Sequence, residues 1–199
     1  MSVAPRRRAP GRTGEGPTAW VIDCETTGLS ADDRIVTLGA VELVGPRLTG
    51  RTLHLVFDPQ RPSNPFAERV HGWSRAMLEG QPLFRAHAGE ISGLLSGGDR
   101  IVAHNAAFDL RFVAHEFALA GLPRLTVPSY CTMLGWKEIR GGRGGLDVCI
   151  ASLGLAPRGG RHNAFEDALL AAQVYARLVF GTTLEGAVPD LAEPVNRVR

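Results

Sequence analysis

Residues 21–29 read VIDCETTGL. The run Ala19-Trp20-Val21-Ile22 has the apolar character of a buried strand, yet it ends in two carboxylates one residue apart, Asp23 and Glu25. Strand side chains alternate between faces, so Asp23 and Glu25 share a face while Cys24 points to the other. Two like charges that close repel, and burial raises the cost. A divalent cation relieves it, because hard ions such as Mg²⁺ and Mn²⁺ favour carboxylate oxygens. Taken alone, the pair also fits a strand end with two solvated acids, so the rest of the chain has to decide.

Working outward, residues 34–44 (RIVTLGAVELV) and 51–57 (RTLHLVF) read as strands. Gly45-Pro46 and Gly50 bracket their connection, which predicts a hairpin. Residues 86–96 read as a helix and IVAH at 101–104 as a short strand. Ala106, Leu110, Val113 and Phe117 recur at helical spacing over 106–120. A strand at 125–130 and helices near 132–139, 146–153 and 164–180 complete the set; no element is assigned between 58 and 85. Strands first meander and then alternate with helices, so the expected fold is α/β, a central mixed sheet flanked by helices.

The 199-residue chain carries a net charge of +2, with 44% hydrophobic residues. The size suits one domain with a real core. Residues 1–17 hold four Arg against one Glu and read as a disordered basic arm; residues 182–199 read as a short flexible tail. The domain between, 18–181, has equal numbers of basic and acidic residues, so bulk charge does not mark a nucleic-acid binder. No apolar stretch reaches membrane-spanning length, and no secretory signal opens the chain. Three cysteines without a CxxC pair point away from a disulfide frame or a zinc site and towards a reducing cytoplasm.

Two further stretches add acids. In HNAAFD (104–109), Asp109 falls in the first turn of the 106–120 helix, where Asn105 is placed to cap. An acid there also complements the helix dipole, which is an ordinary explanation for it. In RGGRHNAFEDALLA (158–171), Asn163 and Glu166 have capping-box spacing. Asp167 shares the apolar stripe of Leu170, Ala171, Val174 and Leu178, and a core-facing carboxylate needs a partner. His162 precedes the helix in a segment loosened by Gly159 and Gly160. Four acids and a histidine suit metal-assisted hydrolysis, with two ions activating water and stabilising a leaving oxygen. A neutral histidine can take the water's proton near pH 7.

Asp23-x-Glu25-Thr26-Thr27-Gly28, His104-Asn105-Ala106-Ala107-Phe108-Asp109 and His162-x4-Asp167, in that order, resemble the three motifs of the DEDDh family of 3′→5′ exonucleases, which have a ribonuclease-H-like fold. RIVTLGAVELVGPRLTGRTLH and Val70-His71-Gly72 are similar to the branch holding the epsilon proofreading subunit of bacterial DNA polymerase III. The likeness spans roughly residues 18–180. It implies that Asp23, Glu25 and Asp167 hold the metal carrying the attacking water. It further implies that Asp23 bridges to a second metal assisted by Asp109, and that His162 is the general base. Glu25 and the backbone near Thr26 and Thr27 would meet the 3′-OH of a DNA end. By the same likeness Gly28 and Leu29 shape the slot, with Leu29 against the terminal base. His71 would lie near the 3′ nucleotide, and Asn105 and Phe108 would line the groove. The family's polymerase subunit docks on a DNA polymerase III alpha subunit through a C-terminal extension; only 18 residues follow Gly181 here, with no clamp-binding motif among them. Gln81-Pro82-Leu83-Phe84 resembles such a motif but sits at an expected helix start. Oligoribonuclease-like relatives carry Glu-Met-Thr-Gly where this chain has Glu25-Thr26-Thr27-Gly28, which favours DNA over an exoribonuclease of the same fold. Retention of every acid argues against a docking module that has lost catalysis.

Overall fold

The computed structural model describes residues 16–157, 159–188 and 197–198. Most of the expected basic arm, residues 1–15, lies outside them, as do residues 189–196 and 199 of the expected tail. Strands β1 (Thr18–Thr26), β2 (Ile35–Val44) and β3 (Arg47–Val56) form an antiparallel meander. Helices α1 (Pro65–His71), α2 (Arg75–Leu78) and α3 (Phe84–Gly97) lead to β4 (Arg100–Ala103), which pairs parallel with β1. Helix α4 (Ala106–Leu119) leads to β5 (Ser129–Cys131), parallel to β4. Helices α5 (Thr132–Arg140), α6 (Leu146–Ser152) and α7 (Ala164–Tyr175) follow, and α7 runs on as a π-helical turn, Ala176–Phe180. A two-residue strand, β6 (Arg197–Val198), pairs with β3, giving the order β5-β4-β1-β2-β3-β6.

The period-2 alternation of β1 divides two cores. Trp20, Ile22 and Cys24 join the cluster that holds Phe84, Ile91, Phe112 and Phe117 of α3 and α4. Ala19 and Val21 face the other way, into the cluster with Phe165, Leu169, Ala172 and Tyr175 of α7. Burial on both faces explains why β1 and β2 read as continuous apolar runs. Phe84 is fully buried, so the Gln81–Phe84 stretch offers no protruding motif.

Several expectations shift. Helix α1 arises where no element was expected: Asn64 caps it, accepting from the Phe66 N–H at 2.8 Å, with Pro65 in the first turn. The expected strand at 125–130 shrinks to 129–131 because Pro128 cannot donate to a ladder. The segment after Gly181 is attached in places: Glu185 bridges Arg47, and the Leu48 N–H donates to the Glu185 carbonyl at 2.9 Å. Among the described residues no helix is long and apolar enough to cross a membrane, and all three cysteines are free.

Candidate active site

The site gathers at the carboxyl end of β1. The antiparallel register of β1 and β2 shifts between Glu25 and Thr26, a bulge that ends regular pairing beside Glu25. Opposite Asp23 stands Gly39. A Cβ at Gly39 would lie 2.3 Å from the backbone carbonyl group of Ala164, the first residue of α7. The missing side chain therefore lets the start of α7 rest directly on β2, on the face that carries Asp23 and Glu25. Asn163 caps α7, its Oδ1 accepting from the N–H groups of Phe165 at 2.9 Å and Glu166 at 3.2 Å. The other half of the expected capping box is absent: Glu166 Oε1 accepts from the Gly159 N–H at 2.9 Å and ties the preceding loop instead.

Asp109 approaches from the opposite layer. It is 2% exposed, in the first turn of α4, and its Oδ1 accepts from the Cys24 N–H at 3.0 Å. Burial raises its pKa to about 8, opposed by the Cys24 N–H bond and assisted by the nearby Asp167 charge. The expected cap on this helix is corrected: Asn105 stands at the N-cap with φ 73° and ψ 50°, and its side chain makes no cap bond. A left-handed asparagine is tolerated where a chain must turn sharply, here between β4 and α4.

His162 is held from two sides. Its N–H donates to the Val70 carbonyl at 3.0 Å, and its Nδ1 lies 3.4 Å from Asp167 Oδ2. The ring stays part-exposed while Asp167 is buried. Donor atoms of Glu25, His162 and Asp167 all lie within 4.8 Å of one another. This donor set fits a divalent metal: it is compact, two of its three donors are carboxylates, and it lies beside an Asp109 carboxyl whose charge is disfavoured chiefly by burial.

These groups line an open slot of about 410 Å³. The lining also includes Gly28 and Leu29, the latter 74% exposed, Asn64, Phe66 and His71 of the α1 region, and Phe108; the Asn64 N–H donates to the Thr27 carbonyl at 2.7 Å. Asp33 fixes the Leu29 turn: its carboxylate accepts from Thr27 Oγ1 at 2.7 Å and the Ser30 N–H at 2.9 Å. A Cβ on Gly28 would stand 2.4 Å from Asp33 Oδ2, so the turn requires glycine there. His71 is buried, with a pKa lowered to about 4 by desolvation, and its Nδ1 accepts from the Trp73 N–H at 3.0 Å. The ring is therefore neutral at physiological pH with its proton on Nε2.

The structure thus brings Asp23, Glu25, Asp109, His162 and Asp167 together with Thr26, Gly28, Leu29, His71 and Phe108 in one slot. Thr27 and Asn105 do not line it: Thr27 is fully buried, its N–H donating to the Arg34 carbonyl at 2.9 Å, and Asn105 is an exposed turn residue. Sequence reasoning missed Asp33, Asn64 and Phe66. Asn64-Pro65 was an available helix-start signal that would have placed Phe66 on a helix; nothing local distinguishes Asp33 from its exposed neighbour Asp32.

Comparison with known proteins matches the fold. A family model described as Exonuclease matches residues 20–175. The DNA polymerase III subunit epsilon of Rickettsia conorii is 31% identical over 186 residues, covering 89% of this chain and 80% of its own. Among solved structures, Exonuclease X in complex with 5′ overhanging duplex DNA superposes with TM-score 0.61 at 22% identity, over 83% of this chain and 95% of its own. A structure of Exonuclease I reaches TM-score 0.73 at 16% identity, over 83% of this chain and 41% of that one. At such identities the two structures carry the fold alone: a mixed sheet between helices of the ribonuclease-H-like kind.

Proposed function

The chain belongs to the exonuclease family, and on that premise we propose that it is a metal-dependent 3′→5′ exodeoxyribonuclease releasing nucleoside monophosphates in proofreading or repair. The observation that carries this reading is the compact Glu25–His162–Asp167 cluster opening onto a slot rimmed by exposed Leu29 and Phe66. A base can pack between apolar side chains without being read, which suits a sequence-blind enzyme acting on ends.

Asp23, Glu25, Asp109 and Asp167 would hold two divalent cations, Mg²⁺ or Mn²⁺. Such ions supply an activated water and stabilise the charge that develops on the phosphate and the leaving oxygen. The chain's own part is orientation and proton transfer. Asp167 holds His162 by Nδ1, so Nε2 takes the proton of the attacking water. His71 packs in the wall of the slot with its Nε2 buried, and its low pKa keeps it from competing as a base. Leu29, on a turn braced by Asp33, wedges the terminal base.

The relatives' name sets them in DNA polymerase III, and by likeness a polymerase alpha subunit is the candidate partner; co-elution of the two purified chains tests it. The activity itself is tested with 3′-labelled and 5′-labelled DNA and RNA oligomers, each with Mg²⁺ or Mn²⁺. Stepwise release of mononucleotides from the DNA 3′ end is expected. Internal cuts or release from the 5′ end would overturn the reading, and faster RNA loss would transfer it to an exoribonuclease.

A further inference from the structure

The slot has a shortage that its acids make acute. It is lined by Asp23, Glu25, Asp33, Asp109 and Asp167, and by no lysine or arginine. Any ions at the site would be engaged with the terminal phosphodiester. The phosphates further up the strand need cations from elsewhere. Two arginines reach the slot's lining residues: Arg61 lies 3.4 Å from Asp33 Oδ1 and is paired with Asp32 as well, and Arg111 holds the Leu29 turn. The Arg111 guanidinium donates to the Leu29 carbonyl at 3.1 Å and lies over the rings of Phe108 and Phe112, at 5.7 and 4.6 Å.

Arg111 is also the near wall of a second groove, about 300 Å³, between α4 and the 120–128 segment. Its other lining residues include Ala107, Leu110, Arg124 and Leu125; two arginines and no acid face it. Arg111 links the two, since it lines the groove while lying over Phe108 and bonding Leu29, both of which line the slot. From Phe108 to Ala114, α4 advances about 9 Å.

We propose that this groove is the track for the phosphodiester backbone upstream of the 3′-terminal nucleotide, with Arg111 and Arg124 on successive phosphates and the apolar floor under the sugars. The proposal rests on the exonuclease reading and adds where the rest of the strand runs. Arg111 also couples the two, because the side chain that meets a phosphate holds the Leu29 turn.

The test compares a ten-nucleotide and a two-nucleotide DNA, both nuclease-resistant, by fluorescence anisotropy in Mg²⁺ across a salt series. Arg111→Ala and Arg124→Ala should each weaken decamer binding about tenfold and lower the salt slope by about 0.7, while the dimer changes far less. Arg111→Lys should recover the slope. Among the described residues Arg124 has no hydrogen bond or ion pair to the Leu29 turn and does not line the slot, so its variant reports the groove apart from any disturbance of the slot. Equal losses for dimer and decamer, or none, would overturn the track. So would a decamer-specific loss in Arg69→Ala instead, because Arg69 stands over the slot's Phe66, 5.8 Å from that ring, and does not line the groove. Failure of the wild type to release mononucleotides from natural oligomers would sink the exonuclease reading, and leave strand binding separately measured.

Discussion

At the scale of single residues, the site combines groups that burial pushes in different directions. His162 stays part-exposed beside Asp167 and keeps access to water. His162→Ala should lower the rate about 10²–10⁴-fold and remove its limb from the pH–rate profile; a tenfold loss with an unchanged profile would count against a general base. Asp23→Ala should abolish hydrolysis while thermal unfolding remains cooperative, and near-normal turnover in that variant would refute the metal assignment. Asp109 makes a prediction about stability. Its folded pKa is about 8, against an ordinary 3.8. Between those values the folded chain keeps a proton that the unfolded chain has lost. The contribution of Asp109 to the stability of metal-free protein should therefore decline as pH rises from about 4 to about 8, against an opposite trend from the buried neutral His54 and His71 between about pH 4 and 6.5. Mg²⁺ or Mn²⁺ should flatten that decline by taking the proton's place, which urea titrations at several pH values would measure.

At the scale of elements, what matters is how closely α7 sits on β2. Gly39→Ala would drive a methyl group into the Ala164 backbone. It should cost about 1–3 kcal/mol of stability, and reduce metal-dependent activity more than a surface change of equal cost, because Asp167 moves with the helix. Denaturant midpoints and turnover on the same preparations check both. A second brace joins α4 to β2: Arg34 makes a bidentate pair with Glu116, at 2.7 and 2.8 Å, and the Ile35 N–H donates to the same carboxylate at 3.1 Å. Elements built on periodicity were readable. The β1–β3 strands and helices α3, α4 and α7 followed from apolar runs and 3–4 spacing. Helix α1 was not, because Asn-Pro at its start also reads as a turn, and its seven residues show no full apolar stripe.

At the scale of the molecule, the acids were legible from strand alternation and the helix stripe, and the three motifs in order supplied the rest. What escaped were groups defined by contacts across the chain. Asp33 acts through Gly28 and Ser30, Arg111 through the Leu29 carbonyl, and Glu116 through Arg34; in sequence each is an ordinary charged residue. Metal binding should also register globally. A cation that binds only the folded chain adds about 2.7 kcal/mol at a hundredfold excess over its dissociation constant, so chelation should lower the melting temperature of the wild type and leave that of Asp23→Ala nearly unmoved.

The scattering of the acids along the chain has a consequence during synthesis. Asp23 and Glu25 emerge from the ribosome early, Asp109 midway, and Asp167 only with α7. Domains tend to organise from the amino terminus as they are made, but here the first two carboxylates lack their partners until most of the chain has appeared. Translation products that stop short of α7 would lack Asp167, and with it the Glu25–His162–Asp167 cluster.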